Sequence, residues 1–183
     1  SFDMLGEGAH TAADAQRYFE AYEKAIGRIG ASAGPGDVHA RASISVKLSA
    51  LHPRYEYAQE ERCVPELAAR LTALSARAKA VGIGLTVDAE EANRLDMSLD
   101  IIERASGDPS LKDWDGLGLA VQAYQKRCTA LIDWVADLGR RHGRRLNVRL
   151  VKGAYWDTEI KLAQLEGLDG YPVFTRKAST DVS

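Results

Sequence analysis

Residues 117–151 read LGLAVQAYQKRCTALIDWVADLGRRHGRRLNVRLV, a strand, a helix and a second strand in succession. Leu117-Gly-Leu-Ala-Val-Gln122 and Leu146-Asn-Val-Arg-Leu-Val151 are short apolar or β-branched runs of strand length. Between them, 129–142 carries helical spacing and is closed by Gly143, the residue type that accepts the left-handed backbone at a helix end. Two strands joined through a helix pair in parallel.

Outward from this unit the same alternation recurs. Strand-like runs stand at 2–6, 43–48 and 83–88. The helical segment after the first run starts at Thr11-Ala-Ala-Asp14, a capping-box pattern, and continues through Tyr18, Tyr22, Ala25 and Ile29 at steps of three and four. The next places Pro65 in its first turn, then Leu67, Leu71, Leu74 and Ala78, and ends at Gly82. Further helices are predicted at about 90–105 and at 155–166, the latter closed by Gly167. Strands alternating singly with helices predict an α/β protein of parallel βαβ units. A doubly wound sheet and a (β/α)8 TIM-type barrel both satisfy that pattern. No Walker loop and no complete G-x-G-x-x-G follows any strand, which weakens the nucleotide-binding doubly wound alternative and favours the barrel. Eight units need about 250 residues, whereas the 183 residues here supply five strands. The expectation is an incomplete barrel of about five βα units, with an open edge and an apolar inner face left exposed.

Composition sets the class. Hydrophobic residues at 45% and charged residues at 27% suit a globular domain, and a formal net charge of −2 removes the general attraction to nucleic acid or anionic surfaces. No apolar run approaches the roughly 18 residues of a membrane span, and the first residues lack signal-peptide order, so a cytoplasmic protein is expected. Cys63 and Cys128 have no C-x-x-C partner and read as reduced thiols. His10, His39, His52 and His142 are scattered, which suits surface or cap roles.

Each later strand ends in a residue that an apolar sheet does not select: Lys47, Asp88 and Gln122, with Arg149 inside the fifth strand and Lys152 just beyond it. In parallel α/β folds the C-terminal strand ends form the ligand face, so these groups are expected to converge. Any one of them alone reads equally as a solvated loop residue or half of an ion pair. Together, three cations and a carboxylate suit an anionic ligand or a developing negative charge. Glu90 and Glu91 read as helix-start residues that complement the helix dipole. Tyr155 and Trp156 suit core packing or, at a rim, stacking on a planar ligand. On these grounds the chemistry stays open between an enzyme, a barrel that binds an anionic metabolite, and a non-catalytic association module.

Six blocks narrow it: Asp3-Met-Leu-Gly-Glu7, Lys47-Leu-Ser-Ala-Leu-His-Pro-Arg-Tyr55, Asp88-Ala-Glu-Glu-Ala92, Val121-Gln-Ala-Tyr-Gln-Lys-Arg-Cys128, Arg149-Leu-Val-Lys-Gly-Ala-Tyr-Trp-Asp157 and Tyr171-Pro-Val-Phe-Thr-Arg-Lys177. In order and over nearly the whole chain, they resemble the proline dehydrogenase domain of bacterial proline utilization A. The resemblance implies a distorted (β/α)8 barrel that holds FAD and oxidises L-proline to Δ1-pyrroline-5-carboxylate by hydride transfer to the flavin. It implies Lys47 at the proline carboxylate, Asp88 shaping the pocket, Tyr155 at the substrate and Arg149 beside the flavin N5. It assigns Ala89, Gln122, Lys152, Gly153, Ala154 and Trp156 to the flavin side, and Thr175 and Lys177 to the adenosine or pyrophosphate part. For the parent enzyme it implies a membrane quinone as electron acceptor and peripheral association with the inner membrane face. That family's last three strands have no counterpart in 1–183, so the expectation is a fragment that binds FAD weakly and is inactive alone.

Overall fold

The computed structural model describes residues 1–4 and 8–182. Its single sheet runs in chain order, β1 (Phe2–Asp3), β2 (Ser43–Val46), β3 (Gly84–Val87), β4 (Leu117–Gln122) and β5 (Asn147–Val151), every neighbouring pair parallel. That order separates the two candidate architectures. A doubly wound sheet reverses its strand order at a switch point, whereas consecutive right-handed crossovers place every helix on one face, as a barrel requires. The sheet is an open segment of barrel type with β1 and β5 at its edges.

The helices are α1 (Ala12–Ser32), α2 (Leu48–Leu51), α3 (Glu60–Ala80), α4 (Leu95–Ser106), α5 (Cys128–His142), α6 (Trp156–Leu165) and α7 (Lys177–Asp181). The capping box forms: Thr11 Oγ1 accepts from Asp14 N at 3.1 Å, and the Asp14 carboxylate accepts from Thr11 N at 3.0 Å. At the end of α3, left-handed Gly82 lets its own N–H reach Lys79 O and that of Ile83 reach Ala78 O, both at 3.0 Å. Gly143 and Gly167 close α5 and α6 in the same left-handed conformation.

Three boundaries differ from the sequence reading. α3 starts at Glu60, so Pro65 sits in its second turn. Glu60 and Glu61 favour that earlier start at the positive helix end, and the Glu61 carbonyl that Pro65 leaves without a donor is on the exposed side. The segment expected to be helical from about 90 runs as a loop and a 3-10 turn (Ala92–Arg94) before α4 begins. The first strand is described only over Phe2–Asp3; residues 5–7, part of the expected strand and of the first block, lie outside the described residues.

Alternation along the strands sorts the side chains. Ile44, Val46, Leu85, Val87, Leu117, Leu119 and Val121 face the helices and are buried with Tyr22 and Ile26 of α1, Leu67, Leu71 and Leu74 of α3, Ile101 of α4 and Leu131 of α5. Removing one such leucine side chain costs roughly 2–5 kcal/mol. The other face carries Ser45, Lys47, Thr86, Asp88, Gly118, Ala120, Gln122, Asn147 and Arg149. This corrects the expected apolar inner face, which is polar or small except at Val151, the β5 partner of Gln122. Apolar side chains are uncovered at both sheet edges: Phe2 of β1 is 55% exposed, and on the helix side of β5, where Asn-Val-Arg-Leu-Val alternates, Val148 and Leu150 stand 46% and 61% exposed. Cys63 and Cys128 are free and buried. His52 is a buried brace rather than a surface residue: its Nδ1 accepts from Arg54 N at 3.0 Å, which leaves Nε2 to donate to Glu66 at 3.1 Å. Among the described residues no helix is long and apolar enough to cross a membrane.

Candidate active site

The inner face converges on Asp88. Its backbone N–H pairs with Val46 O at 2.9 Å, which fixes the residue one position past β3 beside the end of β2. Its carboxylate is nearly buried and lies between two cations. Lys47 Nζ donates to Asp88 Oδ2 at 3.3 Å, and Arg149 Nη2 donates to Asp88 Oδ1. Lys47 also meets Asp3 at 3.4 Å, and Arg149 Nη1 donates to Ser45 Oγ at 2.7 Å. Burial alone lowers the pKa of Lys47, but the carboxylates of Asp88 and Asp3 outweigh it and hold the ammonium above its ordinary value. Lys47 is therefore charged in this cluster.

Arg149 reaches a long way. Ser45 is on β2 and Arg149 on β5, three strand spacings apart, about 14 Å along a flat sheet. The contact exists because the sheet curls and because the β4 residues under the guanidinium, Gly118 and Ala120, are small. A Cβ at Gly118 would lie 2.4 Å from Asn147 O, so the register of β4 on β5 itself demands glycine there.

A belt of hydrogen bonds ties the loops beyond the strand ends. Glu90 does not open the helix that follows it in the chain, which corrects that expectation: its carboxylate instead accepts from Ser49 N at 3.1 Å, in the first turn of α2 directly after Lys47. Its own carbonyl accepts from Gln122 Nε2 at 2.9 Å, and Gln122 Oε1 accepts from Ala154 N at 3.0 Å. Gln122 is 2% exposed and serves in this structure as a brace between the loops after β3 and β5. Burial raises the Glu90 carboxyl above the usual range, against the Ser49 hydrogen bonds and the charge of Arg94. Glu91 precedes the 3-10 turn and pairs with Arg94 at 3.1 Å. Ala89 lines, with Asp88 and Glu90, a cleft that also touches Tyr55 and Arg94.

The remaining sequence candidates sit beyond β5. Lys152, Gly153 and Ala154 form an exposed loop, Tyr155 is half-buried and Trp156 opens α6, its indole N–H donating to Phe174 O at 3.0 Å. Lys152 and Lys177 meet on one carboxylate, each 2.7 Å from an oxygen of Asp181, and those two cations hold Asp181 at a pKa of about 2. Thr175 is exposed just before α7. The structure thus gathers Lys47, Asp88 and Arg149 into one contact network, joins Gln122 and Ala154 through the belt, and brings Lys152 and Lys177 together. Sequence reading missed Ser45, Glu90 as a hinge of the belt, and Tyr22, whose hydroxyl accepts the backbone N–H of Lys47 at 3.2 Å. The small residues at alternate β4 positions were the available signal that a long side chain crosses there.

Comparison with known proteins places the chain in a family. The chain is 55% identical over 183 residues to bifunctional protein PutA of Salmonella typhimurium and 54% identical to that of Escherichia coli, covering 100% of this chain and 14% of each relative. It therefore spans about one seventh of the length of the curated relatives it matches. A crystal structure of bifunctional proline utilization A superposes with a TM-score of 0.98 at 64% identity, over 100% of this chain and 19% of that one. A proline utilization A from Bdellovibrio bacteriovorus, inactivated by N-propargylglycine, superposes at 0.89 with 27% identity, over 98% of this chain and 20% of that one. The profile of the proline dehydrogenase family matches residues 1–183, the span that carries the Lys47–Asp88–Arg149 network, and the chain belongs to that family.

Proposed function

We propose that residues 1–183 supply the first five βα units of an FAD-dependent proline dehydrogenase barrel. The observation that carries this reading is the nearly buried Asp88 carboxylate fixed between Lys47 and Arg149 on a small-residue face. The donor set suits the cofactor: Arg149, Lys152 and Lys177 offer cations to a flavin ring and a pyrophosphate, and the exposed backbone of Lys152–Ala154 allows close approach. FAD, when bound, supplies the acceptor for the hydride that leaves the ring carbon of L-proline, giving Δ1-pyrroline-5-carboxylate.

In this reading Lys47 is the point charge that holds the proline carboxylate. Asp3 is 61% exposed and Asp88 9%, so an incoming carboxylate displaces Asp3 from the ammonium and leaves Asp88 in place. Asp88 keeps Lys47 and Arg149 oriented between turnovers. Arg149, always protonated, stabilises negative charge that develops beside it, and Ser45 limits its rotation. Tyr155 and Ala89 line the substrate and cofactor sides, Gln122 holds the Ala154 backbone for the cofactor, Trp156 packs beside the ring, and Thr175 stands with Lys177 at the far end. A cytoplasmic parent that passes electrons to a membrane quinone from a peripheral position completes the reading.

The test is anaerobic titration with L-proline of a complete, flavin-loaded barrel that carries these residues, followed by flavin absorbance. Proline bleaches the wild-type flavin, and Lys47→Ala raises the proline KM by at least about tenfold while flavin content holds, as expected for loss of one charged contact worth roughly 1.5–3 kcal/mol. Loss of flavin from the Lys47 variant moves that residue to the cofactor. A wild-type flavin that proline does not bleach rejects the reading in favour of a barrel that binds some other anionic metabolite.

A further inference from the structure

Two segments carry the residues assigned to the cofactor side, the loop 152–156 and the stretch leading into α7, and both are fastened to the same side chain and its neighbours. Tyr124 follows β4 by two residues and is buried. Its backbone N–H donates to Lys152 O at 2.9 Å, and its carbonyl accepts from Phe174 N at 2.8 Å. Its phenol oxygen accepts from Tyr155 N at 3.2 Å. Its ring lies against Gly153, where an added Cβ would stand 2.5 Å from ring carbons and where φ is +143°. Gln125 and Val173 form a bridge next to it, and Lys126 N donates to Pro172 O at 3.0 Å.

We propose that Tyr124 is a positioning residue that sets the height and direction of the 152–156 loop relative to the inner face, and through it the placement of Tyr155 and of the cofactor-side backbone. This rests on the proline dehydrogenase reading of the loop. The phenol has a role that phenylalanine cannot fill. Tyr155 is the residue before α6, its own side chain makes no cap hydrogen bond to that helix, and its N–H is held by the Tyr124 oxygen. The ring has a role that a small residue cannot fill, because it closes the space above Gly153 and confines the loop backbone. Burial pushes the phenol up to about 12, so the hydroxyl is neutral across the working range and the anchor does not titrate.

The experiment compares Tyr124→Phe and Tyr124→Leu with the unsubstituted protein, each in a complete, flavin-loaded barrel that carries residues 1–183. Loss of one neutral hydrogen bond predicts that Tyr124→Phe speeds amide exchange at Tyr155 roughly five- to tenfold. The flavin dissociation constant and the proline KM rise several-fold, kcat changes less than KM, and thermal stability stays close to wild type. Tyr124→Leu, which also loses the ring, weakens flavin binding further, and the difference between the two variants reads the ring's part. Unchanged exchange at Tyr155 in Tyr124→Phe overturns the proposal, and so does faster exchange with unaltered flavin affinity and KM. If proline fails to bleach the unsubstituted protein, the functional reading falls instead, while the exchange rate and flavin affinity still decide whether Tyr124 sets the loop.

Discussion

Lys47 meets two carboxylates at almost equal distance, Asp88 at 3.3 Å and Asp3 at 3.4 Å, with side chains 9% and 61% exposed. Distance alone makes their contributions equal; burial makes them unequal. Asp88→Asn keeps the shape but leaves one oxygen to accept and sets an NH2 group against the other cation. Either Lys47 or Arg149 then loses a charge-assisted bond, worth roughly 1.5–3 kcal/mol. Lys47 retains Asp3 and Arg149 retains Ser45, so the expected loss is about 2 kcal/mol, toward the lower end of that range. With a urea slope of about 2 kcal/mol/M, the unfolding midpoint falls by about 1 M. Asp3→Asn removes an exposed, solvent-screened pair and costs less than about 0.5 kcal/mol, a midpoint shift near the limit of detection. The two variants are compared by urea denaturation at neutral pH with circular dichroism. Equal shifts from both substitutions refute the claim that burial of Asp88 decides the energetics of the cluster. The sign against pH follows from the same pair: the Lys47 pKa is raised in the folded state, so its stabilisation is complete below the ordinary lysine value and is lost as pH rises through the folded one.

In a complete, flavin-loaded barrel, Arg149→Met lowers kcat and shifts the flavin potential to a more negative value, read by spectroelectrochemical titration; an unchanged potential removes Arg149 from the cofactor. Gly118→Ala forces a Cβ to within 2.4 Å of Asn147 O, so it destabilises the fold by about 1–3 kcal/mol through the β4–β5 pairing, measured as a fall in thermal midpoint. Glu90→Gln probes a carboxyl whose folded pKa is raised by burial. Such a group binds its proton more tightly in the folded state, so wild-type stability declines as pH rises from the ordinary carboxylate range through the folded value. The Gln variant lacks that decline, and a stability difference between the two that is flat from pH 4 to 8 contradicts the assignment.

Local signals were legible in the sequence. Thr11 and Asp14 sit three residues apart and cap the helix they announce, and Gly82, Gly143 and Gly167 stop theirs, because each device acts within one turn of chain. The alternating burial of β5 likewise follows from Asn-Val-Arg-Leu-Val. What stayed hidden depends on residues far apart. Ser49 and Glu90 are 41 positions apart, Ser45 and Arg149 104, and neither pair leaves a periodic trace. The start of α3 was misplaced because Pro65 is compatible with a first turn, while two glutamates upstream also satisfy the helix dipole. Lys47 and Asp88 stood out as polar strand ends, but their mutual contact required the strand register to be known.

The reach of Arg149 across the curled sheet has a consequence for the order in which the molecule assembles. Each strand pairs with the one before it, so every strand pairing joins consecutive βα units. The guanidinium can find Ser45 only after all intervening strands are in place and bent. That contact is therefore expected to form in the last stage of folding, so that Arg149→Met accelerates unfolding and leaves the folding rate nearly untouched, as read from the two arms of a urea chevron. The cation that the proposed function sets beside the flavin is, in this sense, also the latch expected to slow the sheet from opening.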